Sequence, residues 1–245
     1  MAERYKYEQY CPIAIAAEVM GERWTPLVLR GLYCGATRFN DIQACVPRMS
    51  PSLLSRRLKE LEAANVIVRQ PVHAGRGHIY ALTQAGQELF PTLQAMGEWA
   101  QKWLRREIVS DHNLDPDVFM WELRHGVEKA RVPDARRRVI EFRLSGVPSP
   151  KRHFWLLLEP GHADICVSDP GFDIDLWVSA SLRTMVELWL GHRSIDGAIK
   201  SGDLQLDGTR GEQKLFRQWF VRSVFAPSGQ MPAADIGKAT RQARL

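Results

Sequence analysis

Long apolar runs are missing from this chain of 245 residues. Although 45% of it is hydrophobic, no stretch approaches the roughly 20 residues that a membrane-spanning helix needs. The opening MAERYKYEQY is polar and charged, with none of the apolar core of a secretory signal, which predicts a cytoplasmic protein without membrane partners. Cysteine is scarce. The four residues, at positions 11, 34, 45 and 166, form no CxxC pair and no spacing of metal-ligand type, so neither a metal site nor a disulfide scaffold is expected. Catalytic signatures are missing as well: there is no GxSxG, HExxH or P-loop pattern. Asp164, Asp169, Asp173 and Asp175 alternate with apolar strand residues or occupy turns, as solvent-facing carboxylates do. An enzyme is not expected, and nothing calls for a cofactor. Nor is the charge one-sided: a net +5 makes the chain mildly basic, so where the cations cluster matters more than their sum.

They cluster in Met49–Val68, MSPSLLSRRLKELEAANVIV. Ser50 is a helix N-cap and Pro51 suits the first turn, while Leu53, Leu54, Leu58 and Leu61 recur at helical spacing and mark a core face. The other face carries Ser52, Ser55, Arg56 and Lys59 with Arg57 at its margin, hydroxyls and long cations suited to phosphates and base edges. Upstream, residues 11–33 give two helical patterns separated near Gly21, one with Ile13, Ala16, Ala17 and Met20 on its apolar face, the other with Trp24, Leu27, Val28 and Leu32. Arg38–Val46 is a short helix with Phe39 and Ile42 inward, closed by Pro47. Short helix, tight turn and basic second helix is helix-turn-helix spacing, in which the second helix enters the major groove. Arg38 and Asn40 at the start of that first helix, and Arg48 in its turn, join the candidate DNA contacts. VIVRQPV and HIYALT read as strands joined by HAGRG, a wing with His73, Arg76 and His78 at its tip. Thr83 then caps a helix interrupted at Pro91 and continuing through Trp103, whose wide apolar face, like that of the N-terminal helix, calls for a partner and predicts a homodimer.

Cys11-Pro-Ile, GERWTPLVLRGL, RFNDI, SPSLLSRRLKELEAANVIVR and YALTQAGQEL together resemble the HxlR-type family of winged helix-turn-helix regulators, over about Tyr10 to Trp103. The resemblance implies a dimeric, sequence-specific binder of double-stranded DNA, with the helix at Ser50 to Leu61 in the major groove and the hairpin near Arg76 in an adjacent groove. Half-sites of an inverted repeat are then expected about 34–36 Å apart. Some members sense oxidants or electrophiles through an N-terminal cysteine, which makes Cys11 a redox candidate; a small, buried, inert thiol is the other reading.

Residues 105–115 are a charged connector. Asp115-Pro116 opens a helix with Phe119, Leu123 and Val127 on one face, followed by three or four strand-like segments, RRVIEFRLSG, HFWLLLEPG, ADICVSDPG and DIDLWVSAS. Their short turns predict an antiparallel meander, since parallel crossovers usually contain a helix. Helical faces in LRTMVELWLG, SIDGAIKSGDLQLDG and GEQKLFRQWFVRSVF would cover one side of the sheet. The expected fold class is α+β: a winged helix-turn-helix domain over 1–110, a sheet covered by helices over 111–227, and a non-periodic tail over 228–245. The order of elements, with WLGHRSIDGAIKSGDLQLDG as its most specific piece, resembles sterol carrier protein type-two-like domains over roughly Asp115 to Phe225. That resemblance implies a cavity for a hydrophobic small-molecule effector, with Phe142, Trp155, Leu157, Phe172, Leu176, Met185, Trp189, Phe216 and Trp219 as candidate lining. A plain packed core would need the same residues. The leading expectation is a dimeric transcription regulator controlled by an apolar molecule. The alternatives are control through Cys11, or a lipid carrier that uses its winged helix only to dimerise.

Overall fold

The computed structural model describes residues 6–72, 77–127, 136–159 and 162–229. His73 and Arg76 of the expected wing tip, and residues 230–245 of the expected tail, lie outside them. The fold is α+β and divides into two compact units, Met1–Leu93 and Gln94–Leu245.

In the first unit, α1 (Pro12–Met20), α2 (Thr25–Tyr33), α3 (Phe39–Cys45) and α4 (Pro51–Ala63) precede a hairpin of β1 (Ile67–Pro71) and β2 (His78–Leu82), and α5 (Gln84–Glu88) follows. Apolar spacing explains the packing: Val28, Leu29 and Leu32 of α2, Ile42 of α3, and Leu54, Leu58 and Leu61 of α4 are buried. Arg38 bridges Ile79, adding a third short segment to the hairpin. α4 ends where the sequence changes period. Asn65 adopts φ 57°, and the Val66 and Asn65 amides donate to the Leu61 and Glu62 carbonyls at 3.0 Å each, which closes the helix end and turns the chain into β1. Gly86 fits tightly there, since a Cβ on it would stand 2.1 Å from the Val66 carbonyl oxygen.

α6 (Phe90–Trp103) runs from one unit into the other. Beyond it lie α7 (Arg105–Ile108), a 3-10 turn (Asp111–Asn113) and α8 (Pro116–Gly126), then β3 (Arg138–Ser145), β4 (His153–Glu159), β5 (His162–Cys166) and β6 (Leu176–Ser181), α9 (Leu182–Trp189), α10 (Ile195–Lys200), β7 (Leu204–Gly208), α11 (Arg210–Trp219) and the short α12 (Ala226–Gly229). The expected antiparallel meander is corrected: the sheet runs β5-β4-β3-β6-β7, with β6 parallel to β3 and every other pair antiparallel. The β4–β5 hairpin takes one edge of β3 and leaves only the other edge to β6. Residues 167–175 make the return without a helix. Asp175 fixes the join, accepting from the Val139 amide at 2.8 Å, donating its own amide to the Val139 carbonyl at 2.9 Å and holding Arg136 at 2.5 Å. It is therefore a strand lock rather than a simple solvent-facing carboxylate. The fifth strand, β7, lies inside a stretch whose helical face had been the visible feature; five residues are too few for their alternation to stand out.

Helices α8, α9, α10 and α11 all contribute to one core against the even-numbered residues of β3, β4 and β6. Phe142, Leu176, Met185, Trp189, Phe216 and Trp219 pack into that core. The expected cavity lining does not stay together. Strand alternation sends Trp155 and Leu157 to the opposite face, and Phe172 is exposed with the Arg137 guanidinium 4.2 Å from its ring centroid.

The second unit also clasps its part of α6. A Cβ on Gly97 would meet the Phe225 ring at 2.3 Å. Gln101 donates to the Leu190 carbonyl at 3.4 Å, and its Oε1 lies 2.6 Å from His192 Nε2. Burial, with Arg105 adding to it, pushes the His192 imidazole down to about 4. The neutral ring is thus the folded form. As pH falls from 6.5 towards 4 the unfolded chain takes up a proton that the folded one refuses, so stability is lost across that window and is complete above it. The expected loss is about 1–2 kcal/mol once hydration of the half-buried ring is allowed for. Urea unfolding at pH 7.5 and pH 4.5 should give a smaller difference for His192→Gln than for wild type; equal differences would remove His192 from the pH response.

Candidate nucleic-acid interface

The interface begins at Ser50, whose extended backbone and hydroxyl cap α4 by accepting from the Leu53 amide at 3.3 Å. Gln43 sets the approach: its amide donates to the Val46 carbonyl at 3.2 Å and the Met49 carbonyl at 2.7 Å, tying the end of α3 to the entry of α4. Met49 is buried beneath that turn. α4 is therefore held from below by leucines and from its start by a side-chain brace.

Its outward stripe carries Ser52, Arg56 and Lys59, with Ser55 half-buried beside them. Arg56 keeps 55% of its side chain exposed, and Glu60 lies 3.8 Å from its Nε, a loose surface pair that a phosphate can displace. Arg57 is the correction. It bonds to Glu22 and Glu60 with only 8% of its side chain exposed, so it joins the start of the unit to α4 rather than meeting solvent. One helical step of about 100° separates it from Arg56, enough to turn it from the open stripe to the packed side.

Arg38, Asn40 and Arg48 are exposed around α3 and its turn. On the hairpin His78 is exposed, and Arg69 donates to its Nδ1 at 3.0 Å across the two strands. Arg69 is a wing cation that the linear pattern alone did not single out. The strand register brings it beside His78, and only the two-residue alternation of VIVRQPV could have flagged it. The unit thus presents a braced helix with a cationic stripe and a hairpin with its own cation, which can meet phosphates at two levels of a duplex and bring short polar side chains to base edges.

Cys11 is the half-buried residue preceding α1, with a free thiol and its carbonyl accepting from the Ile15 amide at 3.1 Å. Cys45 is buried and donates to the Asp41 carbonyl at 3.1 Å, while Cys34 is exposed. Among the described residues no group of three or more His, Cys, Asp or Glu side chains could hold a metal ion, and no helix is long and apolar enough to cross a membrane.

The family model for the HxlR-like helix-turn-helix matches residues 19–108. The HTH-type transcriptional regulator YvaP of Bacillus subtilis is 36% identical over 98 residues, covering 39% of this chain and 91% of that protein. The chain belongs to the HxlR family. It is a DNA-binding transcriptional regulator of that type. The HTH-type transcriptional regulator YodB of the same organism is 35% identical over 99 residues, 38% of this chain and 85% of that protein. A structure of quinone-bound YodB from B. subtilis aligns with 36% identity over 38% of this chain and 99% of that one, with a TM-score of 0.34. These matches lie in the N-terminal part, and the α+β unit extends beyond the HxlR match.

Proposed function

We propose that the protein is a cytoplasmic, homodimeric repressor or activator that binds an inverted-repeat operator through α4 and the β1–β2 wing. The observation that carries this reading is the braced α4 with Ser52, Arg56 and Lys59 outward, flanked by Arg38, Asn40, Arg48, Ser50, Ser55 and His78. Dimerisation is supported by uncovered apolar surface on two elements: α1 exposes Ile13 at 79% and Ile15, and the stretch of α6 beyond Leu93 exposes Met96 and Trp99 at 56%. Surface of this kind on a helix is normally covered by a partner, and a second copy supplies the matching one. Selection of bound DNA from a random pool tests the reading; an inverted repeat with half-sites one helical turn apart is expected, and recovery of unrelated sequences would overturn it.

The α+β unit is read as the effector-binding module, in the manner of a sterol-carrier-like domain. An apolar effector seated among Phe142, Met185, Phe216 and Trp219 would have to part side chains that are fully packed, so an effector held elsewhere on the sheet is the better fit. An effector moves the operator equilibrium only by the difference in its affinity for two states.

A second reading makes Cys11 the sensor. It is favoured by the free thiol before α1 and by related structures that include a quinone-bound and a diamide-treated YodB. Diamide or a quinone should lower operator affinity in wild type and not in Cys11→Ser; equal responses in a mobility assay would remove Cys11 from the mechanism.

A further inference from the structure

We propose that the sheet face of the second unit opposite the one packed by α8, α9, α10 and α11 carries a binding site for a small organic oxyanion, with Arg143 as its receptor. An open sheet face is expected to be polar and solvated. This one instead buries a carboxylate. Glu141 has 6% of its side chain exposed, and its strand neighbours on either side are Trp155 and Trp177. Both indole Nε1 atoms are buried without a hydrogen-bond partner among the described residues, which a merely solvated face does not produce.

Glu141 holds Arg143 through two bonds, Nε to Oε1 and Nη2 to Oε2, each 3.0 Å, and His153 Nδ1 lies 2.8 Å from Oε1. Burial alone would raise the Glu141 carboxyl, but Arg143 and His153 outweigh it and keep it below its ordinary value, hence ionised. The Arg143 guanidinium also lies over Trp177, 5.6 Å from the ring centroid. Asp207, opposite Trp177 in the strand register, adds a longer-range attraction, and among the described residues no hydrogen bond occupies Nη1. A guanidinium set by a buried acid behind it is preorganised for a second, planar anion in front.

In front is a groove of about 340 Å³ lined by Arg143, Ser145, Ser179, Ser181, Asp203 and Gln205, within the roughly 300–1,000 Å³ usual for small-molecule sites. Ser145, Ser179 and Gln205 have uncommitted side chains among the described residues and can donate to the same anion. Asp203, on the rim, is paired with Arg193 at 2.5 Å, which also faces Glu187 at 3.7 Å, and accepts from the Ser201 hydroxyl at 2.6 Å. The groove therefore matches a carboxylate or phosphoryl group carried on a small hydroxylated frame. Its regulatory meaning rests on the effector-module reading, but binding there does not.

The test titrates the full chain with succinate, and in a parallel arm with inorganic phosphate, at constant ionic strength and without DNA, reading tryptophan fluorescence and thermal midpoint. A saturable response is expected, weakened at least tenfold by Arg143→Gln and by Ser179→Leu, which fills the groove and leaves the Glu141–Arg143 pair intact. Arg183→Gln, which breaks only an exposed pair with Asp111, should titrate as wild type. The tighter of the two probes identifies a carboxylate or a phosphoryl ligand. A response to neither, a response matched by chloride, or Ser179→Leu titrating as wild type would overturn the site, and none of these outcomes touches operator binding.

Discussion

Replacing Arg56 and Lys59 together by alanine is expected to weaken operator binding about 100-fold while leaving the thermal midpoint nearly unchanged. Both side chains are exposed on α4. Lys59 has no partner among the described residues and Arg56 only the loose pair with Glu60, so little folded-state energy is lost with them. Each phosphate neutralised releases counterions, so the slope of log affinity against log salt should flatten by about 2. Arg57→Ala makes the contrast. Its guanidinium is buried between Glu22 and Glu60, and losing it should cost about 2 kcal/mol of stability, with affinity near wild type once corrected for the folded fraction. If Arg57→Ala abolished specific binding in fully folded protein and the double variant did not, the assignment of faces on α4 would be reversed.

Gly86→Ala should cost about 3 kcal/mol and lower the midpoint of the first unit by about 15 °C. The new Cβ would lie 2.1 Å from the Val66 carbonyl oxygen and 3.2 Å from a Leu82 methyl. Neither backbone can yield cheaply. The Val66 carbonyl accepts from the Thr83 amide and the Thr83 hydroxyl, both at 3.1 Å, and the Gly86 carbonyl accepts from the Tyr33 hydroxyl. Pushing them apart breaks the joint at which α4, the hairpin and α5 meet, so operator binding should fall with the folded fraction. A loss below 1 kcal/mol in urea unfolding would mean that this joint is looser than drawn.

The two units differ in how openly the chain declares them. In the first, each element follows from neighbours in sequence: Ser50 and Thr83 cap their helices, Asn65 takes the left-handed turn that ends α4, and leucines three and four apart make its inner face. Such local signals need no partner far along the chain. In the second, the strands are visible one by one but their pairing is not, because β3 meets β6 36 residues away through Asp175, a contact that no periodicity announces.

The sequence by itself therefore determined the winged helix-turn-helix unit, the α+β class, and a cationic stripe on α4, since capping, helical period and charge are all read over a few residues. Tertiary structure alone decided three further points. It turned Arg57 inward to two glutamates, because a side chain at the margin of a helix face is assigned by what lies across from it. It packed Phe142, Met185 and Trp219 into a core while sending Trp155 to the far side of the sheet, because alternation divides residues between faces whose cover is set by distant helices. And it gathered Glu141, Arg143 and Ser179 from β3 and β6 beside one groove, a juxtaposition created by strand order and register rather than by spacing in the chain.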